Sequence, residues 1–277
     1  MKISSVYYKF VFFYLLILCK SSCILLIRVI KFDKILLLKR DEEYMKLLIS
    51  DYDGTYNSDL GFPSTRAVNK SIDCFRKDGN VFVMATGRNF KSIKSEVIKY
   101  GIKYDYLICS NGSCIFDKDD NLIYSRTYDY DVCLKALDIL KKHDLIKKIY
   151  MLDAYGNETI DINKVCEIYT IINPFCFDKI KKLKKELEFL NVFKFLHIMT
   201  LTEKNDKKCA IDKLISDSHF DIDFENIYSI GNGSNDRTMI ESYNGYKMIL
   251  SERQLSDTKA KRVLSVPSLV RKISGGK

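Results

Sequence analysis

What this chain lacks narrows its chemistry first. Its three histidines, His143, His197 and His219, stand at no metal-ligand spacing, and no Gly-x-x-x-x-Gly-Lys nucleotide loop occurs. No Cys-x-x-Cys pair is present, so neither a zinc site nor a dithiol redox couple is indicated. The nine cysteines are odd in number and scattered, which fits buried free thiols in a reducing compartment better than a disulfide framework. Internal repeats and low-complexity tracts are absent too. What remains is a chain of 277 residues, 47% hydrophobic and 29% charged, ample for one α/β core plus a smaller folding unit.

The net charge of +9 is unevenly placed. Residues 1–44 hold eight of the 45 Lys/Arg and four of the 36 Asp/Glu, a net of +4, leaving 37 against 32, or +5, for the other 233. So mild an excess is met by an anionic phosphorylated substrate or a solvated lysine surface, and nucleic acid is not expected as a partner.

The first 44 residues stand apart. Lys2 and Lys9 lead into an apolar run from Phe10 to Cys19, which Lys20 interrupts. That run is too short and broken for a comfortable membrane-spanning helix. It resembles a signal-peptide core, yet no Ala-x-Ala-like cleavage site follows and Cys19 lacks a lipoprotein box. The reading favoured here is an appendage upstream of a true start at Met45, with a cytoplasmic enzyme. A membrane-anchored or exported protein is the alternative if residues 1–44 are retained.

From Met45 onward, short apolar runs alternate with helical periodicity, the signature of stacked βα units and a mainly parallel sheet. Strands are expected at 46–50, 81–85, 106–109, 227–230 and 247–250. Between them, helices open at Pro63-Ser64-Thr65, span 89–100 and 207–216, and begin again near Asn235. Gly79 and Gly101 sit where left-handed C-caps belong. The grammar changes over 113–200, which reads as an α+β insert. It opens with a hairpin of 114–116 and 122–124, carries helices at 130–142, 165–172 and 178–190, and closes with a strand at 192–199.

Four constellations carry chemistry. Asp51-Tyr52-Asp53-Gly54-Thr55 follows the first strand, where two carboxylates can reach the crevice at the C-terminal edge of an open α/β sheet, and Gly54 permits the tight turn. One carboxylate can attack a phosphorus in line, a divalent cation can neutralise the meeting of two anions, and the second carboxylate can protonate the leaving oxygen. An ordinary acidic turn is the alternative. A calcium loop is excluded, since its sixth-place Gly and twelfth-place Glu are replaced by a fourth-place Gly and Phe62. Thr86-Gly87-Arg88 ends the second strand with a hydroxyl able to bond a phosphoryl oxygen, or is common turn chemistry. Lys207 opens a helix and could hold nucleophile and phosphate together, although Lys208 leaves the assignment open by one residue and a solvated lysine would look the same. Gly231-Asn232-Gly233-Ser234-Asn235-Asp236 lets backbone approach a ligand closely, with side-chain oxygens at 232 and 236 spaced to face one cation; Asn235 or Asp236 could equally cap a helix.

In this order and at these junctions, the motifs resemble the haloacid dehalogenase superfamily, and within it the Cof-like, class IIB phosphatases with a large α/β cap, over essentially all of residues 45–277. The resemblance implies a Rossmann-like core (45–112 and 201–277) with an inserted α+β cap (113–200). It further implies an aspartyl-phosphate on Asp51, Asp53 as general acid and then base, and phosphoryl binding by Thr86, Gly87 and Lys207. Mg²⁺ would lie on Asp51, the Asp53 carbonyl, Asn232 and Asp236, with Arg88, Asn111 and Asn235 in support. The substrate would be a small phosphorylated metabolite, a sugar or cofactor phosphate. Two departures stand out. Asn232 replaces the family's metal-binding aspartate, and Lys208 replaces a glycine usual after the motif lysine. Loss of one well-placed electrostatic contact costs about 3 kcal/mol, on the order of a hundredfold in rate. A catalytically weakened phosphate-ligand binding protein is therefore the alternative expectation, and a phosphotransferase that passes the group to a sugar hydroxyl is a third.

Overall fold

A computed structural model describes residues 44–277, apart from 59, 60, 62, 219, 221, 252–254, 276 and 277. Apart from Tyr44, the expected N-terminal appendage lies outside the described residues. No helix among them is long and apolar enough to cross a membrane.

The larger sheet is built on β1 (Leu47–Ser50), a run of four buried residues. Its alternation divides the core. Leu48 packs with Val68, Ile72 and Phe75 of α1 (Thr65–Lys77), Ile93 and Val97 of α2 (Phe90–Tyr100), and Leu269 and Ile273 of the last helix, Val266–Ile273. Leu47 and Ile49 point the other way, onto Ala210, Ile211 and Leu214 of Lys207–Asp217 and Met239 and Ile240 of Arg237–Ser242. A parallel strand buried on both faces reads as a continuous apolar run for this reason. β2 (Val81–Ala85) and β10 (Ile227–Gly231) flank β1 in parallel, and β3 (Tyr106–Cys109) follows β2. β11 (Asn244–Met248) and β12 (Lys261–Val263) complete the far edge, giving the parallel order β12-β11-β10-β1-β2-β3. The expected strand at 247–250 begins earlier, because Lys247 is buried with its ammonium donating to the carbonyls of Leu255 and Thr258, whereas Ile249 and Leu250 lie on the surface.

β4 (Cys114–Asp117) and β5 (Leu122–Ser125) form the hairpin expected at the start of the insert, but β4 pairs antiparallel with β3. The hairpin thus extends the large sheet, and the change of architecture comes after it. A second sheet, of order β6-β7-β9-β8, follows from β6 (Ile146–Leu152), β7 (Glu167–Ile172), β8 (Asn191–Phe195) and β9 (Ile198–Thr202). One face is covered by α3 (Tyr130–Lys141) and α4 (Phe177–Glu186), through Ala136, Leu140, Ile180 and Leu183 against Ile168, Ile172, Met199 and Leu201. The fold is thus an α/β, Rossmann-like core with a mainly parallel sheet and an inserted α+β cap.

Two expectations within the cap are corrected. Residues 167–172, taken for a helix, form the strand β7. Val165, Ile168 and Ile172 satisfy a helical stripe, but Ile168, Thr170 and Ile172 satisfy a two-residue alternation as well, and β-branched residues with partners on both sides decide for the sheet. The single strand expected at 192–199 is two, because Leu196 turns the chain at φ 50° and Phe195 pairs with Ile198.

Candidate active site

Asp51, Thr86 and Asn232 directly follow β1, β2 and β10, three adjacent parallel strands, so all three stand at the carboxyl edge where open α/β sheets bind ligands. A fourth contributor comes from α5 (Lys207–Asp217). Asp206 caps this helix by accepting from the Cys209 N–H at 2.8 Å, which puts Lys207 at its first position. An ammonium is poorly placed at the positive end of a helix dipole. Here two carboxylates offset it: Lys207 Nζ lies 2.6 Å from Asp51 Oδ1 and 2.6 Å from Asp236 Oδ1, with Lys207 and Asp236 wholly buried. Lys208 instead points to the surface and pairs with Asp212. Lys207 is therefore the lysine that enters the crevice.

Both oxygens of Asp236 accept hydrogen bonds. Its second oxygen accepts from the backbone N–H groups of Asn232 and Gly233, each at 2.9 Å. Gly231 makes this approach possible, since a Cβ there would lie 2.5 Å from the Asp236 carboxyl. Asp51 is engaged on one side only. Oδ1 faces Lys207, while Oδ2 takes no hydrogen bond among the described residues. Burial and the neighbouring Asp236 carboxylate push Asp51 up to about 7, Lys207 pulling it back only in part. For Lys207, burial works against the charge, yet Asp236 and Asp51 outweigh it and hold the ammonium above the usual lysine range.

Asp53 does not join this cluster. It is half-exposed, and Arg88 grips both its oxygens. The guanidinium in turn lies 5.2 Å from the centre of the Tyr52 ring, and Tyr52 donates to Glu96 at 3.0 Å. Thr86 is buried and its Oγ accepts from the Arg88 N–H at 3.1 Å, leaving the hydroxyl proton to donate. Asn111, at φ 53°, lies against Gly87 and accepts from Asn235 Nδ2 at 2.9 Å.

Sequence reasoning gave no role to Thr55, whose hydroxyl donates to Asn232 Oδ1 at 3.0 Å. It also passed over Asn205, whose amide donates to the Gly112 carbonyl, and Glu167, which reaches Ser110 from the cap. Thr55 and Asn205 lie beside motif residues in the sequence. Glu167 carries no local signal at all, since its partner is 57 residues away.

The oxygen donors here suit a hard cation. Asp51, Asp236, the Asn232 amide and a backbone carbonyl of the Asp53 loop are oxygens only, and Mg²⁺ takes one or two carboxylates while keeping waters and substrate phosphate. Among the described residues no group of three or more His, Cys, Asp or Glu side chains forms a metal cluster. Two carboxylates and an amide are what the Asn232 substitution leaves.

A family model described as haloacid dehalogenase-like hydrolase matches residues 48–215. A Buchnera aphidicola protein (subsp. Baizongia pistaciae), provisionally named a phosphatase, is 29% identical over 223 residues, covering 70% of this chain and 82% of its own. A Plasmodium vivax protein described as a candidate HAD/COF-like hydrolase superposes with a TM-score of 0.70 at 17% identity, covering 87% of this chain and 100% of that one. A haloacid dehalogenase-like hydrolase from B. subtilis gives 0.69 at 17% identity, covering 83% and 99%. A subclass IIB sugar phosphatase gives 0.65 at 18%, covering 84% and 100%.

Proposed function

Because this chain belongs to the haloacid dehalogenase-like hydrolases, we propose that it is a Mg²⁺-dependent phosphomonoesterase working through an aspartyl-phosphate on Asp51. The observation that carries the reading is the asymmetry of that carboxylate: one oxygen is held at 2.6 Å by a buried lysine and the other is free of hydrogen bonds among the described residues. A nucleophile oriented in this way is prepared for in-line attack.

In the first step Asp51 Oδ2 bonds to phosphorus while the bond to the leaving oxygen breaks, and Asp53 delivers the proton that oxygen needs. In the second, water attacks the acyl phosphate, Asp53 takes its proton, and phosphate leaves with Asp51 restored. Thr86 and Lys207 bind the phosphoryl oxygens. Asp53 must turn from Arg88 toward the crevice, or the leaving group must reach it there. Asp51, Asp236, Asn232 and the Asp53 carbonyl would hold a divalent cation, which when bound would supply positive charge against the phosphoryl group. The substrate class is a small sugar or cofactor phosphate enclosed by the cap.

The test is Mg²⁺-dependent phosphate release from an aryl phosphate. Wild-type turnover is expected, with none from Asp51→Asn, and beryllofluoride is expected to bind the wild type. An inactive wild type that also fails to bind beryllofluoride would overturn the aspartyl-phosphate reading in favour of a catalytically weakened phosphate-ligand binding protein, the reading Asn232 motivates. Transfer of the group to an alcohol in place of water would make it a phosphotransferase.

A further inference from the structure

Glu167 opens β7 in the cap, yet it is buried against the core, with 1% of its surface exposed. Its carboxyl has one hydrogen-bond partner among the described residues, Ser110, whose Oγ lies 2.5 Å from Oε2. The titratable groups that face it are thiols and phenols: Cys109 on β3, Cys114 on β4, Tyr128, and Tyr169 on β7. No lysine, arginine or histidine among the described residues pairs with it.

The partner is unusual. Ser110 and Asn111 are consecutive non-glycine residues in the left-handed region, at φ 47° and 53°. Such a backbone persists only where its surroundings fix it. The core supplies backbone ties, Ser110 N–H to the Arg88 carbonyl at 2.8 Å and Asn111 N–H to the Thr86 carbonyl at 3.1 Å. The Ser110 side chain, however, is tied to the cap. Asn111 next to it lies against Gly87 and accepts from Asn235, so the turn joins the second motif loop to the last one.

We propose that Glu167 is a positioning residue: by docking β7 onto Ser110 it fixes the Ser110–Asn111 turn, and through Asn111 the relative placement of the Thr86-Gly87-Arg88 and Asn235 loops. A single hydroxyl cannot replace the hydration of a carboxylate, so the docked contact holds a neutral acid. Burial raises the Glu167 carboxyl to about 7, with Ser110 opposing. Alkaline pH therefore charges the contact, which favours undocking into water.

The kinetic arm of the test rests on the phosphatase reading; the exchange arm does not. Wild type, Glu167→Gln and Glu167→Ala are compared from pH 6 to 8.5 by kcat/KM on an aryl phosphate with Mg²⁺ and by hydrogen exchange of the 108–113 segment. Asp51, also pushed up to about 7, gives every form the same acidic limb. The readout is therefore the ratio of Glu167→Gln to wild-type kcat/KM, which should rise by up to about thirtyfold across this range, as one ionisation near pH 7 requires. Wild-type protection against exchange, relative to the intrinsic rate, should fall in parallel. Glu167→Gln, uncharged and isosteric, should keep the acidic-side rate within about threefold and lose the alkaline fall in kcat/KM and the alkaline loss of protection, keeping only the acidic limb of Asp51. Glu167→Ala should exchange fast at every pH. If wild type and Glu167→Gln show the same exchange and the same alkaline limb, the proposal is overturned. If exchange titrates as described but no form releases phosphate, the positioning role stands and the phosphatase reading falls.

Discussion

Arg88 holds both carboxylate oxygens of Asp53, Nε at 2.8 Å from Oδ2 and Nη2 at 2.6 Å from Oδ1. Planar, two-point pairing of this kind fixes direction as well as charge. It leaves the proposed nucleophile and the proposed acid in different surroundings, Asp51 buried with a lysine and Asp53 half-exposed on a guanidinium.

If that pairing sets the direction from which Asp53 approaches the leaving oxygen, Arg88→Ala should lower kcat about tenfold with little change in KM. Asp53→Asn should lower it a hundredfold or more, as loss of a general acid does. The double variant should be no slower than Asp53→Asn, because the arginine acts through that side chain. Steady-state kinetics on the three proteins checks this, and additive losses would show Arg88 acting on its own.

Asn232→Asp adds a carboxylate beside Asp51 and Asp236. Thr55 can donate to it as it donates to the amide at 3.0 Å, so the local fold should survive. Without metal the extra like charge should lower the melting temperature by a few degrees, and with Mg²⁺ the gain in melting temperature should exceed that of the wild type. Mg²⁺-dependent turnover should rise. Thermal-shift titration reads the first two, and equal Mg²⁺ gains for both proteins would contradict the placement of position 232 among the metal ligands.

Gly231→Ala should destabilise the protein by about 1–3 kcal/mol, the range for overpacking a fixed site. The new methyl would meet the Asp236 carboxyl at 2.5 Å, and Asp236 is held on three sides by Lys207, Asn232 and Gly233. Urea denaturation of the two proteins measures the difference. Activity should fall with stability, since Asp236 cannot move without releasing Lys207.

Glu167 also makes a stability prediction whose sign is fixed. Its folded-state pKa, about 7, is above the ordinary 4.5, so between these values the folded protein binds the extra proton and stability falls as pH rises. The penalty is complete above pH 7 and absent below about 4.5. Glu167→Gln should therefore gain on the wild type as pH rises from 5 to 8, by about 3 kcal/mol at most. Denaturant melts at the two pH values test it, and a constant difference between the proteins would remove the argument.

The sequence alone determined the strands and helices whose signals are local. β2 at 81–85 and β3 at 106–109 fall where apolar runs end in turn residues, and α2 ends at Gly101, which takes φ 62° as expected of a left-handed cap. It also pointed to Asp51, Asp236 and one of Lys207 and Lys208 as neighbours at one edge of the sheet, because each sits at a junction between a strand or loop and a helix, and such junctions gather along one edge of a parallel sheet. What it could not decide were choices settled by partners distant in the chain. Residues 167–172 fit helix and strand periods equally until β6 and β9 paired with them, and the 114–125 hairpin joined the core because β3 offered an open edge. Likewise, only the packed structure separates a buried Lys207 from a solvated Lys208, turns Asp53 to Arg88, and seats Glu167 on Ser110. The physical reason is common to all: periodicity and turn chemistry act over a few residues, whereas burial and charge pairing depend on what the fold brings together from across the chain.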